Sequence, residues 1–449
     1  AHHPSFLPRD PKMASLVGRT DLKVLVIGSG GREHALCWKI KQSTMLDKLY
    51  CLPGNAGIAD VAENVGGIAV TDVPKIVEWC KSNQIDFVVV GPEDPLTKGV
   101  VDALEAEKIL AFGPTKAGAE LEGSKAFMKD ILHKYGVPTA TYIRTKSADE
   151  AKEYIKKNNG PIVVKASGLC AGKGVLLCQT VDEGLKAIDE IMVDKIFKDS
   201  GDEVVVEEFL TGEEASYFAL CDGKTAVGFG GAQDHKLSGD GDTGMNTGGM
   251  GAYSPAHILT KEMEERIMKE VMIPTVEGMA KEGCPFKGVL FAGLMIKDGQ
   301  IKTLEHNVRF GDPECQVVMS RLKSDLLKTL VYAAEGRFSE LPALEWDDRT
   351  ALLVVMAAKG YPGSYPKGTP INKVEDATKL ADTNVFHAGT GRDGSQLVST
   401  GGRGLGVTAM GKDAKEAQAA AYKAVDTIEW EQGFCRRDIG FRAVARLDG

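Results

Sequence analysis

Pro161-Ile162-Val163-Val164-Lys165-Ala166-Ser167-Gly168-Leu169-Cys170-Ala171-Gly172-Lys173-Gly174-Val175-Leu176-Leu177-Cys178 sets a glycine loop between two short apolar runs. Aliphatic runs of this length bounded by proline and glycine read as strands. The loop comes near a G-x-x-x-x-G-K-[ST] phosphate loop and departs from it three times. Its glycine spacing is short by one, Gly174 stands in place of the hydroxyl residue, and a strand follows where a helix should open. The segment therefore reads as a flexible β-loop-β lid with a lysine at each end. Lys165 and Lys173 could hold phosphates as point charges. The alternative is an exposed hairpin with solvated lysines, although Lys165 closes an apolar strand, where an ammonium group needs a partner.

Upstream, Leu22-Lys23-Val24-Leu25-Val26-Ile27 reads as a buried strand, Gly28-Ser29-Gly30-Gly31 as a turn, and Arg32–Ile40 as a helix. Further strands are expected at Lys48–Leu52 and Phe87–Pro92, around a helix at Val73–Lys81. Strand and helix alternating at this pace predict a parallel, doubly wound sheet ending near Gly123. Downstream, Glu203–Glu208 reads as a strand. Ala232–Tyr253 holds six glycines and cannot be one continuous helix or strand. A long helix is expected over Thr260–Lys281, strands over Gly288–Ile296 and Ile301–Asn307, and an alanine-rich helix over Asp413–Ile428.

The 449 residues carry a net charge of −9, with 43% apolar and 26% charged side chains. That balance argues against a broad nucleic-acid surface but leaves room for a small anionic ligand. The nine cysteines are dispersed, without zinc-type spacing, and read as reduced thiols of a cytoplasmic protein. No apolar run is long enough for a membrane span. Residues 1–20, with His2 and His3, lack periodicity and are set aside as a leader or an added remnant.

Several polar constellations could carry chemistry. Gly28-Ser29-Gly30-Gly31 at a helix start suits phosphate or sugar-phosphate contact, or is simply a tight turn. Glu33 breaks the G-x-G-x-x-G pattern, and no ribose-binding acid ends the second strand, so a nicotinamide dehydrogenase is disfavoured. Glu207-Glu208-Phe209-Leu210 and Glu213-Glu214 could meet an adenine edge and ribose hydroxyls, or form a solvated acidic turn. In Glu305-His306-Asn307, strand alternation sets Glu305 and Asn307 on one face and His306 on the other. Two oxygen donors on one face suit Mg²⁺, and His306 is expected to pack on the reverse side. The loop from Gln233 to Gly251 is long for a structureless connection and is expected to contact ligand, with His235 a weaker candidate for a base.

Taken together, these motifs resemble the glycinamide ribonucleotide synthetase family of ATP-grasp ligases. The resemblance is carried by Gly28–Ala35, Pro53-Gly54-Asn55-Ala56-Gly57, Lys165–Gly174 and Asp234–Tyr253, and above all by Arg309-Phe310-Gly311-Asp312-Pro313-Glu314-Cys315-Gln316. It spans about Leu22 to Leu447. It implies an α/β fold with a Rossmann-like domain over 21–123, an ATP-grasp domain over 124–340 with a mobile lid at about 136–210, and a small α+β domain over 341–449. It implies that ATP, glycine and 5-phosphoribosylamine give ADP, phosphate and glycinamide ribonucleotide through glycyl phosphate, in purine biosynthesis.

By motif, Lys125, Lys165, Gly172, Lys173, Glu207, Leu210 and Glu214 would contact ATP, and Glu305 and Asn307 would hold Mg²⁺ or Mn²⁺. Gly30, Gly31, Arg32, Glu33, Asn55, Asp234 and Arg309 would line the substrate region, with Arg309, Asp312 and Asp234 as catalytic candidates. Fusion to, or association with, other purine-pathway enzymes is left open. Leu237, Met245, Cys170 and His306 depart from the family's usual residues; Leu237 puts a phosphate role at its position in doubt. The alternatives are another ATP-grasp carboxylate–amine ligase, such as a carboxylase or peptide ligase, and a non-catalytic nucleotide-binding module.

Overall fold

The computed structural model describes residues 14–170 and 173–447. Its first unit is a parallel sheet of β1 (Leu22–Gly28), β2 (Leu46–Pro53), β3 (Glu63–Asn64), β4 (Phe87–Val90) and β5 (Leu110–Phe112), in the order β3-β2-β1-β4-β5. Apolar residues such as Val24, Leu25, Val26 and Ile27 are all buried, as expected for a parallel sheet covered on both faces. The chain winds outward from β1 to β3 and then resumes at β4 on the other side of β1. Loops diverge at such a reversal and leave a crevice beyond the strand ends. Gly28–Gly31 follows β1 there, and Gly91-Pro92-Glu93 follows β4.

A second, four-stranded antiparallel sheet contains β6 (Tyr142–Thr145), β7 (Ile162–Ala166), β8 (Val175–Cys178) and β9 (Val204–Glu208), in the order β6-β9-β7-β8. Helices Ala148–Asn158 and Val181–Ile188 close its own small core around Ile155, Ile162, Val164, Ile188 and Val204. A subdomain with a separate core can move as one piece.

The third sheet runs β16-β15-β10-β11-β14-β17-β21-β18, with Gly433–Phe434 paired to β17. Its members are β10 (Glu213–Asp222), β11 (Ala226–Asp234), β14 (Gly251–Ser254), β15 (Lys287–Lys297), β16 (Gln300–Asn307), β17 (Thr350–Ala358), β18 (Thr383–His387) and β21 (Arg403–Gly411). Hairpins β12 (Leu237–Gly239) with β13 (Thr243–Asn246), and β19 (Thr390–Asp393) with β20 (Gln396–Ser399), stand off it. The four-residue β14 lies between β11 and β17, pairing Gln233 with Tyr253 on one side and Gly251 with Val354 on the other. The central and C-terminal parts therefore share one sheet. The glycine-rich stretch that resists a single element is thus a hairpin followed by a bridging strand.

The long helix expected over Thr260–Lys281 is helical throughout but widens at Met268–Met272, just before Pro274. Proline has no N–H to donate back along the helix, which explains the altered turn. Asp413 caps the alanine-rich helix Ala414–Thr427 by accepting from the Glu416 N–H. Of the segment set aside as a leader, residues 1–13 lie outside the described residues. Leu16 is buried, and Ser15 Oγ and the Leu16 N–H donate to Glu335 at 2.8 and 2.7 Å, so this part is built into the fold. No described helix is long and apolar enough to cross a membrane.

Candidate functional site

Lysines from two elements converge where the small sheet faces the third sheet. Ser124 caps the helix Lys125–Lys134 by accepting from the Phe127 N–H, which sets Lys125 in the first helical turn. Lys125 Nζ donates to the Gly168 carbonyl at 3.3 Å, and Lys165 at the end of β7 donates to the Leu304 carbonyl at 3.1 Å. Lys165 also pairs with Glu207, whose second oxygen lies 2.5 Å from Lys129 Nζ. Glu207 is 2% exposed, so one buried carboxylate serves two buried ammonium groups. Burial pulls Lys125 and Lys129 below their ordinary range despite these neighbours. Lys173 is exposed, and Gly172 lies outside the described residues.

Beyond Glu207, a cavity of about 280 Å³ is lined by Phe209, Leu210, Thr211, Met295 and Lys302. Glu214 pairs across the strands with Met295 and accepts from Lys236 Nζ at 2.8 Å. Strand pairing sets Glu305 opposite Gly293 and Asn307 opposite Phe291. Burial works against the Glu305 charge, yet Lys236, Lys165 and Lys125 hold its carboxyl below the ordinary range. Lys165 and Lys236 pair with Glu207 and Glu214, whereas Lys125 meets the Gly168 carbonyl, so Lys125 is the cation best placed to meet a phosphate chain.

Among the described residues, no three His, Cys, Asp or Glu side chains gather into a metal cage. Glu305 Oε1 accepts from Asn307 Nδ2 at 3.3 Å, so the two side chains stand together. This sparse oxygen set fits Mg²⁺, which completes its shell with phosphate and water. His306 packs on the reverse face, with Nδ1 3.2 Å from the Phe291 carbonyl and Nε2 3.2 Å from Thr275 Oγ1.

A second group faces the first across the end of β16. Arg309 donates from Nε to Glu93 at 3.2 Å and from Nη2 to Glu122 at 2.7 Å. Burial pushes Glu122 up to about 7, with Glu93 and Glu305 adding and Arg309 opposing. Arg32 pairs with Glu33 at 2.5 Å and donates to the Phe310 carbonyl at 3.0 Å. Asp312 Oδ2 accepts from the Arg32 N–H at 3.1 Å, and its other oxygen accepts from Gln316 at 2.9 Å. Although burial opposes it, Arg403 and Arg32 hold Asp312 below its ordinary range. Burial raises Asp234, on β11, to about 7, with Glu314 and Glu214 adding and Lys236 opposing.

The glycine turn differs from a bare phosphate cradle. The Gly30 N–H donates to Glu33 at 2.7 Å, so two carboxylates, Glu33 and Asp312, already face the start of the helix Gly31–Ile40. Asn55 uses its amide on backbone groups, donating to Ser29 and His387 carbonyls at 2.8 Å and accepting from Gly57 and Ile58. It therefore shapes the Ser29-Gly30 turn from behind. His235 is buried, with Nε2 accepting from the Gly440 N–H at 2.9 Å, a structural hydrogen bond.

Family models match this chain in three consecutive parts. Residues 22–122 match the phosphoribosylglycinamide synthetase N domain, 123–315 its ATP-grasp (A) domain, and 351–442 its C domain. The chain belongs to the phosphoribosylglycinamide synthetase family. It is an ATP-grasp ligase, with a parallel N-terminal sheet, an ATP-grasp central domain and a C-terminal domain.

A phosphoribosylamine–glycine ligase of Agrobacterium fabrum is 56% identical over 425 residues, covering 95% of this chain and 99% of the relative. The crystal structure of a phosphoribosylamine–glycine ligase from Thermotoga maritima superposes with a TM-score of 0.81 at 32% identity, covering 93% of this chain and 100% of that one. A biotin carboxylase domain of 2-oxoglutarate carboxylase from Hydrogenobacter thermophilus, solved with MgADP, shares the fold. Its TM-score is 0.72 at 18% identity, covering 92% and 91% of the two chains. Sequence reading missed Glu93, Glu122, Lys236 as a site cation, and Arg403. Nothing local marks the first two or the last, because each is an ordinary charged residue in its own stretch.

Proposed function

We propose that this chain, as a phosphoribosylamine–glycine ligase of purine biosynthesis, works by positioning and charge neutralisation without a side-chain nucleophile. The observation that carries the reading is the set of lysines about Glu305: Lys165 donates to the neighbouring Leu304 carbonyl, Lys125 to the Gly168 carbonyl, and Lys236 to Glu214, which pairs across the strands with Met295 of the cavity wall. ATP would lie with its base in that cavity, its ribose at Glu214 and its phosphates among the lysines and the Gly168–Lys173 loop. Glu305 and Asn307 would hold Mg²⁺, which neutralises charge on the phosphate oxygens when bound. Glu207 fixes Lys165 in place, and closure of the lid would exclude water.

The glycine carboxylate attacks the γ-phosphorus, forming an acyl phosphate as the bond to ADP breaks. The amine of 5-phosphoribosylamine then attacks the acyl carbon, the C–O bond to phosphate breaks, and the nitrogen gives up a proton. Asp234 faces the glycine ammonium in this reading. Arg309, steadied by Glu93 and Glu122, meets developing negative charge. Arg32, Asp312 and the Gly30–Glu33 turn bound the sugar-phosphate, with Asn55 shaping that turn. The working division is 21–123, 124–340 with a lid at about 136–210, and 341–449, in the cytoplasm.

ADP release tests the reading. Release that needs ATP, Mg²⁺, glycine and freshly generated phosphoribosylamine together supports it. Release that needs neither glycine nor the amine, or none with competent substrates, rejects it.

A further inference from the structure

Lys236 is gripped on both flanks by a segment about 200 residues away. On one side, the His235 ring accepts the Gly440 N–H at Nε2, 2.9 Å away. On the other, the Leu237 carbonyl accepts from Arg436 Nη1 at 3.1 Å. Arg436 is 1% exposed. Its guanidinium donates to both oxygens of Asp438 at 2.8 Å and to Asp242 of the β12–β13 hairpin at 3.0 Å. The same hairpin is held again where the Arg437 N–H donates to Asp240 at 2.8 Å and the Gly241 N–H to Asp438 at 2.8 Å. Arg442 also pairs with Asp242.

This arrangement exceeds what a loop needs for anchorage. A buried guanidinium is costly to desolvate and adds little net stability, but its planar fork fixes geometry in several directions at once. Here the fixed points are the residues before and after Lys236, while Lys236 itself is 44% exposed and reaches Glu214. The His235 ring is held at one atom: Nε2 accepts a backbone proton, so the neutral ring carries its own proton on Nδ1. The alternative is a clamp that only stabilises the C-terminal domain.

We propose that Arg436, together with the Gly440 N–H, is a positioning device for Lys236, through which the C-terminal segment sets the geometry of the phosphate-facing site. The proposal rests on the reading that places Lys236 beside the transferring phosphate. Arg436 touches no substrate and acts through the Leu237 carbonyl on one side of that lysine, as the Gly440 N–H acts through the His235 ring on the other.

A double-mutant cycle on kcat/KM for glycine, with Arg436→Lys and Lys236→Ala, tests it. Arg436→Lys keeps the charge but cannot reach Asp438, Asp242 and Leu237 together. It is expected to lower kcat/KM about tenfold in the otherwise native enzyme and less than twofold when added to Lys236→Ala. Equal fold losses in the two backgrounds overturn the positioning role and leave a stabilising clamp. Native activity of Lys236→Ala overturns both the proposal and the reading of the site beneath it. If Arg436→Lys does not fold, Asp242→Asn replaces it in the same cycle, because it leaves an oxygen for Nη1 while removing the charge. The same two outcomes then decide.

Discussion

Arg309 and Glu122 form a buried charge pair across 187 positions of sequence, with Nη2 donating to Oε1 at 2.7 Å. The second Glu122 oxygen accepts the Val308 N–H at 2.8 Å. One carboxylate thus fixes both the arginine and the backbone that follows Glu305 and Asn307. Glu122 lies on the helix Lys116–Gly123, three residues before Lys125, so the same carboxylate ties that stretch to the end of the strand that carries Glu305 and Asn307.

Stability should respond to pH through this residue. Its ordinary value of 4.5 rises in the fold to about 7, chiefly by burial. Between those values the folded chain holds a proton that the unfolded chain has released, so stability falls as pH rises and levels off above about 7. A shift of this size corresponds to roughly 3 kcal/mol at most. Glu122→Gln should flatten the decline, as read from urea midpoints between pH 5 and 8. Parallel curves for the two proteins would refute the assignment.

Glu207→Gln should be strongly destabilising. It leaves Lys129 and Lys165, which are 0% and 7% exposed, without their shared counter-charge. Breaking a buried ion pair from one side costs about 3–5 kcal/mol. Urea unfolding measures the loss, and nucleotide titration of the folded variant should show weakened ATP binding. A change below about 1 kcal/mol would mean that water replaces the carboxylate.

Glu305→Gln should lower kcat by about a hundredfold or more while the fold remains intact, since a neutral amide replaces the carboxylate proposed to hold Mg²⁺. Steady-state kinetics against Mg²⁺ concentration, with a thermal melt alongside, gives the answer. Near-normal turnover would remove Glu305 from the metal assignment.

Gly91→Ala should act on the amine substrate alone. A Cβ there would overlap the Glu33 carboxylate, which holds the Gly30 N–H. Moving Glu33 disturbs the turn assigned to the sugar-phosphate, so KM for phosphoribosylamine should rise about tenfold, one hydrogen bond to a charged group being worth about 1.5–3 kcal/mol. KM for ATP should stay within twofold. A rise in the ATP value instead would place the turn elsewhere in the reaction.

Much of the fold was legible because its signals are local. Val163-Val164-Lys165 and Val175-Leu176-Leu177 announce strands by composition, and the glycines between them announce a loop. Alternation along Leu304-Glu305-His306-Asn307 is enough to separate the metal-type face from His306, which the structure buries against Thr275. The glycine turn after β1 was recognised as well, but its amides are engaged by Glu33 and Asp312. Spacing could not reveal the second of these, since Asp312 lies 280 positions away.

The sequence by itself determined the strands β1, β2, β4, β7, β8, β9, β15 and β16, the lysine-flanked loop, the acidic strand end at Glu207 and Glu208, and the placing of Glu305 and Asn307 on one strand face. Each depends on side-chain periodicity and turn chemistry within a few residues. Only the tertiary structure decided that Glu93 and Glu122 hold Arg309, that Arg403 reaches the Asp312 carbonyl at 2.7 Å, and that β14 joins the central and C-terminal strands into one sheet. Those relations arise because a buried charge must find a counter-charge wherever packing brings one, and packing unites stretches that carry no local mark of one another.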